Sequence, residues 1–314
     1  MAIFYHILWS NIAPLTLMIA IGFSMQRLFS LDIKTLSKLN FYVFSPAVIF
    51  QLLRTTELEM SLIWKVLLFV VIFMVLQAIA VEIVVKMRGL KGGMRGSMRN
   101  SVLFYNSANY GIPLNQLAFA GNPMTLAVQI LVMTTQSFLP NTYGIYSVNA
   151  HKLSLRDTLK TIFSMPIIYV IPLAFLLKGL DVELPQPLQM PIEYLANAFI
   201  GTALITLGVQ LGSMKWQFDK RLLGNVLLSN GLRLIGGPLL AALAIWLISA
   251  TGLFVFDKLT TAALIVSASV PTSLSSVLLA VEFDNEPEFA SQAVFLSTVL
   301  SIVTVSFVIF ILHI

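Results

Sequence analysis

Ser107-Ala108-Asn109-Tyr110-Gly111-Ile112-Pro113-Leu114-Asn115 sets two amides, a glycine and a proline inside an otherwise apolar segment. A proline removes one backbone donor and drives its ring against the carbonyl four residues back, so the stretch interrupts any helix containing it. What the interruption means depends on the surrounding solvent. Hydrophobic residues form 58% of the chain and charged residues only 11%, against about 25% charged in ordinary soluble domains. That balance belongs to an integral membrane protein. In hydrocarbon every freed backbone group must be satisfied by protein or water, so a broken span lines a cavity.

Crossing the hydrocarbon layer takes roughly 20 apolar residues in a helix. Ten segments meet this length, approximately 3–26, 33–53, 61–86, 98–119, 124–150, 158–178, 189–213, 222–249, 259–280 and 289–313. The expected fold class is an all-α membrane protein of ten transmembrane helices. The first apolar run has no basic residue before it and is too long for a signal-peptide core, so it reads as a retained span. The chain has no cysteine, which excludes disulfides, thiolate metal sites and iron–sulfur clusters.

Fourteen of the 19 Lys and Arg residues fall on one side, in the connections after spans one, three, five and seven. The opposite connections hold Arg54, Lys65, Lys178 and Lys258 near their edges. By the positive-inside rule the odd-numbered connections are cytoplasmic and both termini lie outside a bacterial inner membrane. This placement assigns the net charge of +5 to topology and not to nucleic acid. The connection after span nine disagrees, carrying Glu282, Asp284, Glu286 and Glu288 without a base. Acidic residues weigh little in the rule, so the orientation stands.

The chain also repeats itself. Pro14-Leu15 recurs as Pro172-Leu173 and Pro113 as Pro271, both offset by 158, and Gln51-Leu52 recurs as Gln210-Leu211, offset by 159. Spans five and ten begin alike, with Pro123 and Gln129 against Pro287 and Gln292. Residues 1–150 and 151–314 thus read as two five-span units. An odd number of spans turns the second copy over, giving the inverted repeat of many secondary transporters.

Ser267-Ala268-Ser269-Val270-Pro271-Thr272-Ser273 in span nine partners the opening stretch in span four. Matched interrupted spans point to a transporter's binding site. The candidate substrate-binding residues are Asn106, Asn109, Gly111, Pro113 and Asn115 in one half, and Ser269, Pro271, Thr272, Ser273 and Ser275 in the other. A half-helix beginning after each break presents free N–H groups and a positive dipole end, which suits an anion. Arg233, deep in span eight, joins the candidates because intramembrane charge is costly and guanidinium grips carboxylates. Snorkelling, or pairing with carbonyls near Gly236-Gly237-Pro238, explains it equally well from sequence. Glu82, Glu193, Lys65, His6 and His151 lie near span ends and read as solvated.

The pattern Asn106-x-x-Asn109-x-Gly111-x-Pro113-Leu114, Arg233-Leu234 five residues before Pro238-Leu239, the break Ala268-x-Val270-Pro271, and VFLSTVLSIVT at 294–304 resemble the auxin efflux carrier family, relatives of plant PIN-formed carriers and of bacterial malonate and malate carriers. The resemblance runs nearly end to end. It implies that spans four and nine cross at their breaks. It further implies that spans one, two, six and seven form a scaffold and homodimer surface, while the other spans move as a unit. Two features differ from the plant carriers: the connection between spans five and six is only about ten residues long, and Ser267 and Ser269 stand where an asparagine is expected.

The expected function is export of a small organic anion, a carboxylate, across the cytoplasmic membrane by alternating access. An inside-negative potential favours anion exit by about 2.3 kcal/mol per charge per 100 mV, so no coupling ion is required. No cofactor or metal is expected, and the partners are substrate, lipid bilayer and a second copy of the chain. A sodium- or proton-coupled symporter of the bile-acid or antiporter type shares the broken-helix architecture, but carboxylate-based proton exchange is disfavoured because all 14 acidic residues lie at or near span edges. An enzyme or receptor is the more distant alternative, since the sequence has no buried acid–histidine cluster and no phosphate loop.

Overall fold

The computed structural model describes residues 7–56, 59–138, 143–144, 163–164, 166–214 and 221–314. Among these the chain is all-helical, apart from one isolated bridge discussed below. Six helices are long and apolar enough to cross a membrane: α1 (Leu8–Phe29), α2 (Ile33–Thr55), α3 (Met60–Met87), α7 (Gln186–Ser213), α8 (Leu223–Ala250) and α10 (Pro287–Leu312). This is a multi-pass membrane protein. Between them lie α5 (Pro123–Phe138) and α6 (Ile167–Gly179). Two further helices are each split, α4a (Gly92–Leu103) from α4b (Gly111–Ala118) and α9a (Lys258–Ala268) from α9b (Ser275–Glu282). The expected end of span five, the start of span six, Pro140, His6, His151, and the basic residues Lys152, Arg156, Lys160, Lys215 and Lys220 lie outside the described residues.

Proline shapes three of the long helices in the same way. The π-helical turns Leu8–Ile12, Asn40–Phe44 and Leu232–Gly236 each end two residues before a proline: Pro14, Pro46 and Pro238. A proline cannot donate to the carbonyl four residues back and crowds it, and widening the preceding turn relieves the clash without ending the helix. The second and third of these turns carry a buried polar residue, Asn40 and Arg233.

The helices pack as two groups. One is α1, α2, α6 and α7; the other is α3, α4, α5, α8, α9 and α10, with contacts denser within each group than between them. Lipid is as apolar as leucine, so membrane helices associate where small residues let backbones approach. Between α1 and α7 a Cβ at Gly208 would sit 2.0 Å from the Ile19 carbonyl oxygen, and one at Gly22 would sit 2.1 Å from that of Ile205. Both positions need glycine. At one end of this group Arg54 donates to the Val182 carbonyl at 2.6 Å and Lys178 to that of Thr56 at 2.5 Å. Two bases on the sparsely charged side are thereby committed to backbone at the ends of α2 and α6.

The acidic connection after α9b packs on the start of α4a, where Ser97 Oγ donates to the Asn285 carbonyl at 2.5 Å. It therefore lies at the same end of the bundle as Arg95 and Arg99, which pair with Glu82 at 2.6 and 2.5 Å.

Pro113 and Pro271 do not occupy matching positions. Pro113 is the third residue of α4b, whereas Pro271 lies in the break before α9b. The second half-helices begin at Gly111 and Ser275, 164 positions apart, the same separation as Pro123 and Pro287 at the starts of α5 and α10. The separation of 158 between Pro14 and Pro172 is 159 between Gln51 and Gln210 and 164 between the second half-helices. The larger increase arises because the connection from α7 to α8 is longer than that from α2 to α3.

Candidate functional site

The two breaks bind each other. Tyr105 and Thr272 form an antiparallel bridge, in which Asn106 N–H donates to the Pro271 carbonyl at 2.9 Å and Ser273 N–H to that of Phe104 at 2.8 Å. Each interrupted helix thus supplies the partners that the other's freed backbone groups require in an apolar medium. Side chains reinforce the pairing: Thr272 Oγ1 donates to the Ser101 carbonyl at 2.8 Å, and Thr272 N–H donates to Ser297 Oγ at 3.2 Å.

Beside this junction lies a cavity of about 480 Å³. Its walls come from both helix groups: Asn40 and Ser45 of α2 and Phe199 and Gln210 of α7 on one side, and the two breaks with Gln136 and Ser137 of α5 on the other. Among the described residues the polar lining is uncharged. Asn40 and Gln136 are buried in this wall, and Asn40 Oδ1 has no hydrogen-bond partner among the described residues.

The structure divides the expected site residues. Asn106, Asn109, Ser273 and Ser275 line the cavity. Asn106 Oδ1 accepts from the Asn109 N–H at 3.1 Å, an Asx turn that shapes the break, while the half-buried Asn109 side chain makes no hydrogen bond to another described residue. The others stand behind the wall. A Cβ on Gly111 would lie 2.4 Å from Gln129 Nε2, which itself donates to the Ser107 carbonyl at 2.7 Å, so glycine lets this strut reach the break. Asn115 is fully buried and paired twice with Thr125, donating to its carbonyl and accepting from its hydroxyl, both at 3.1 Å. Its amide joins α4b to α5 and does not reach the cavity. Ser269 donates to the Val266 carbonyl at 2.7 Å, Pro271 and Thr272 belong to the bridge, and Pro113 is buried in the first turn of α4b.

Arg233 neither reaches the cavity nor snorkels. It is fully buried. Nη1 donates to the Val102 carbonyl at 3.1 Å and Nη2 to the Ala268 carbonyl, while the guanidinium lies 4.5 Å from the Tyr105 ring centroid. Val102 and Ala268 end α4a and α9a, so one cation satisfies orphan carbonyls at both C-termini. Carbonyl pairing was one expectation for this residue, but near Gly236–Pro238; the partners belong to other helices.

Sequence reasoning missed Asn40, Tyr105, Gln136 and Gln210 as cavity residues. The available signal was an amide within an apolar span, sharpest at Asn40, six residues before Pro46.

The profile of the family described as "Membrane transport protein" matches residues 7–309. An "Uncharacterized transporter" of Methanothermobacter thermautotrophicus (strain Delta H) is 25% identical over 200 residues, covering 63% of this chain and 62% of the relative. The match thus spans less than two thirds of that relative's length. With the profile running across nearly the whole chain, the protein belongs to the membrane transport protein family, that of the auxin efflux carriers its sequence resembles.

Proposed function

We propose that the protein is a secondary transporter exporting a small organic anion, a carboxylate, across the cytoplasmic membrane, with substrate held in the cavity at the paired breaks. The observation carrying this is Arg233. Where two broken helices meet, two positive and two negative dipole ends converge, each equivalent to about half a charge. Arg233 neutralises the negative ends at Val102 and Ala268. The positive ends of α4b and α9b begin beside the cavity, with Asn109 and Ser275 in its wall. The cavity potential is therefore positive although no cation is among the described residues that line it, and a carboxylate finds amide and hydroxyl donors there.

The architecture we propose is ten spans in two inverted five-span repeats, with helices four and nine crossing at their breaks and both termini outside. The α1, α2, α6 and α7 group serves as scaffold and homodimer surface, and the other group slides against it. Two similar halves of opposite orientation generate inward- and outward-open states of nearly equal energy. A cavity walled by both groups supports that division.

Flux into proteoliposomes of labelled dicarboxylates, monocarboxylates and indole acids tests the reading. Saturable, protein-dependent flux of at least one acid, with its neutral amide excluded, is the expected result. Transport of the amide at the same rate removes the anion assignment, and no flux above protein-free vesicles for any acid removes the function.

A further inference from the structure

A second cavity, of about 250 Å³, lies between the same two helix groups. Its wall includes Gln51 and Thr55 of α2, Asn197 of α7, Gln116 of α4b and Pro123 of α5. Relative to the first cavity, every shared helix is displaced along its axis in one consistent sense. On α2 the first cavity uses Ser37 to Ser45 and the second Val48 to Thr55. On α5 the first uses Met133 to Ser137 and the second Pro123 and Leu126. On α7, reaching away from their common residue, the first extends to Gln210 and the second to Ala196. The two cavities therefore lie at successive depths along one seam, one toward each end of the bundle.

Among the described residues one side chain lines both: Phe199. It is 1% exposed and packs in a single apolar cluster with Ile49, Ile112, Leu126 and Ile130, drawn from α2, α4b and α5. This cluster is an apolar plug between two amide-bearing spaces.

We infer that the second cavity is the opposite-side half of the substrate path, and that Phe199 is the septum keeping the two halves from joining. Its amides Gln51, Gln116 and Asn197 suit a hydrated polar solute on its way to or from the paired breaks. A ring in this position lets each cavity be wet without opening a continuous pore. The inference goes beyond the choice of substrate, because it concerns which side of the membrane each cavity meets.

The absence of native cysteine makes the test direct, since any introduced thiol is unique. Ser137→Cys places a thiol in the first cavity and Gln116→Cys in the second, and each variant is treated in sealed vesicles of known orientation with a small, charged, membrane-impermeant methanethiosulfonate. A minor conformer populated at about 10% or less predicts labelling biased about tenfold or more to one side, with opposite sides for the two positions. Adding Phe199→Ala should bring either bias close to one, and Phe199→Leu, which keeps most of the apolar volume, should preserve most of it. If the alanine variant does not fold, Phe199→Val replaces it. Labelling of both thiols from the same side overturns the two-sided path. Full bias retained in the folded alanine or valine variant overturns the septum. Neither outcome depends on knowing the substrate, so failure here is distinct from absent flux.

Discussion

Arg233 holds Val102: its Nη1 donates to that carbonyl at 3.1 Å while Nη2 donates to Ala268, so a residue of α8 closes the ends of both α4a and α9a. Arg233→Gln removes the charge and the fork together. Hydrogen bonds to a charged group contribute about 1.5–3 kcal/mol each, a loss that falls on the paired helix ends and lowers the melting temperature, while anion affinity falls because the negative dipole ends near the cavity are no longer neutralised. Arg233→Lys keeps a charge but cannot span two carbonyls, and should fall between Gln and wild type. Titration of a transported acid checks both, and unaltered affinity in the Gln variant would contradict the field argument.

Asn109 and Asn115 should separate cleanly. Asn109→Ala removes an unpaired cavity amide and should abolish or strongly weaken transport while leaving the unfolding temperature near wild type. Asn115→Ala removes both bonds that tie α4b to Thr125 in a buried site, where the Thr125 hydroxyl keeps the Asn122 carbonyl at 3.0 Å. A lost hydrogen bond costs about 0.5–1.5 kcal/mol, so this variant should lower thermal stability first. Equal flux in wild type and Asn109→Ala sinks the assignment of that residue.

Gly208→Ala puts a methyl group where the Ile19 carbonyl now sits, 2.0 Å away, with backbone on both sides. Overpacking of this kind costs about 1–3 kcal/mol. Melting in detergent should show the loss, and Gly201→Ala, whose Cβ would meet only the flexible end of Met18 at 3.4 Å, should not.

Tethering the helix groups tests their relative motion. Cysteine pairs with one member at Gln51 or Gln210 and the other near Pro113 or Pro271 should halt flux when cross-linked and release it on reduction. Full-rate transport through every cross-linked pair would favour a small local gate or a channel.

The sequence by itself determined the class of protein, its six long apolar helices and the two interruptions, because each is a local property. Apolar length sets a span. A proline strains the turn before it, so Pro14, Pro46 and Pro238 mark three π-turns and the breaks near Pro113 and Pro271 were legible, although α6 and α7 carry Pro172 and Pro191 inside regular helix. Only tertiary structure decided which polar groups face the cavity. Asn109 and Asn115 look alike in sequence, yet one meets open space and the other meets Thr125 across a helix junction. Arg233 is indifferent to its own neighbours in sequence and takes carbonyls 131 and 35 residues away. The match of Pro113 to Pro271 dissolved for the same reason, since register between halves depends on loop lengths that apolar pattern does not constrain. A buried polar group is satisfied by whatever packing brings within about 3 Å, and packing is settled between helices, not along them.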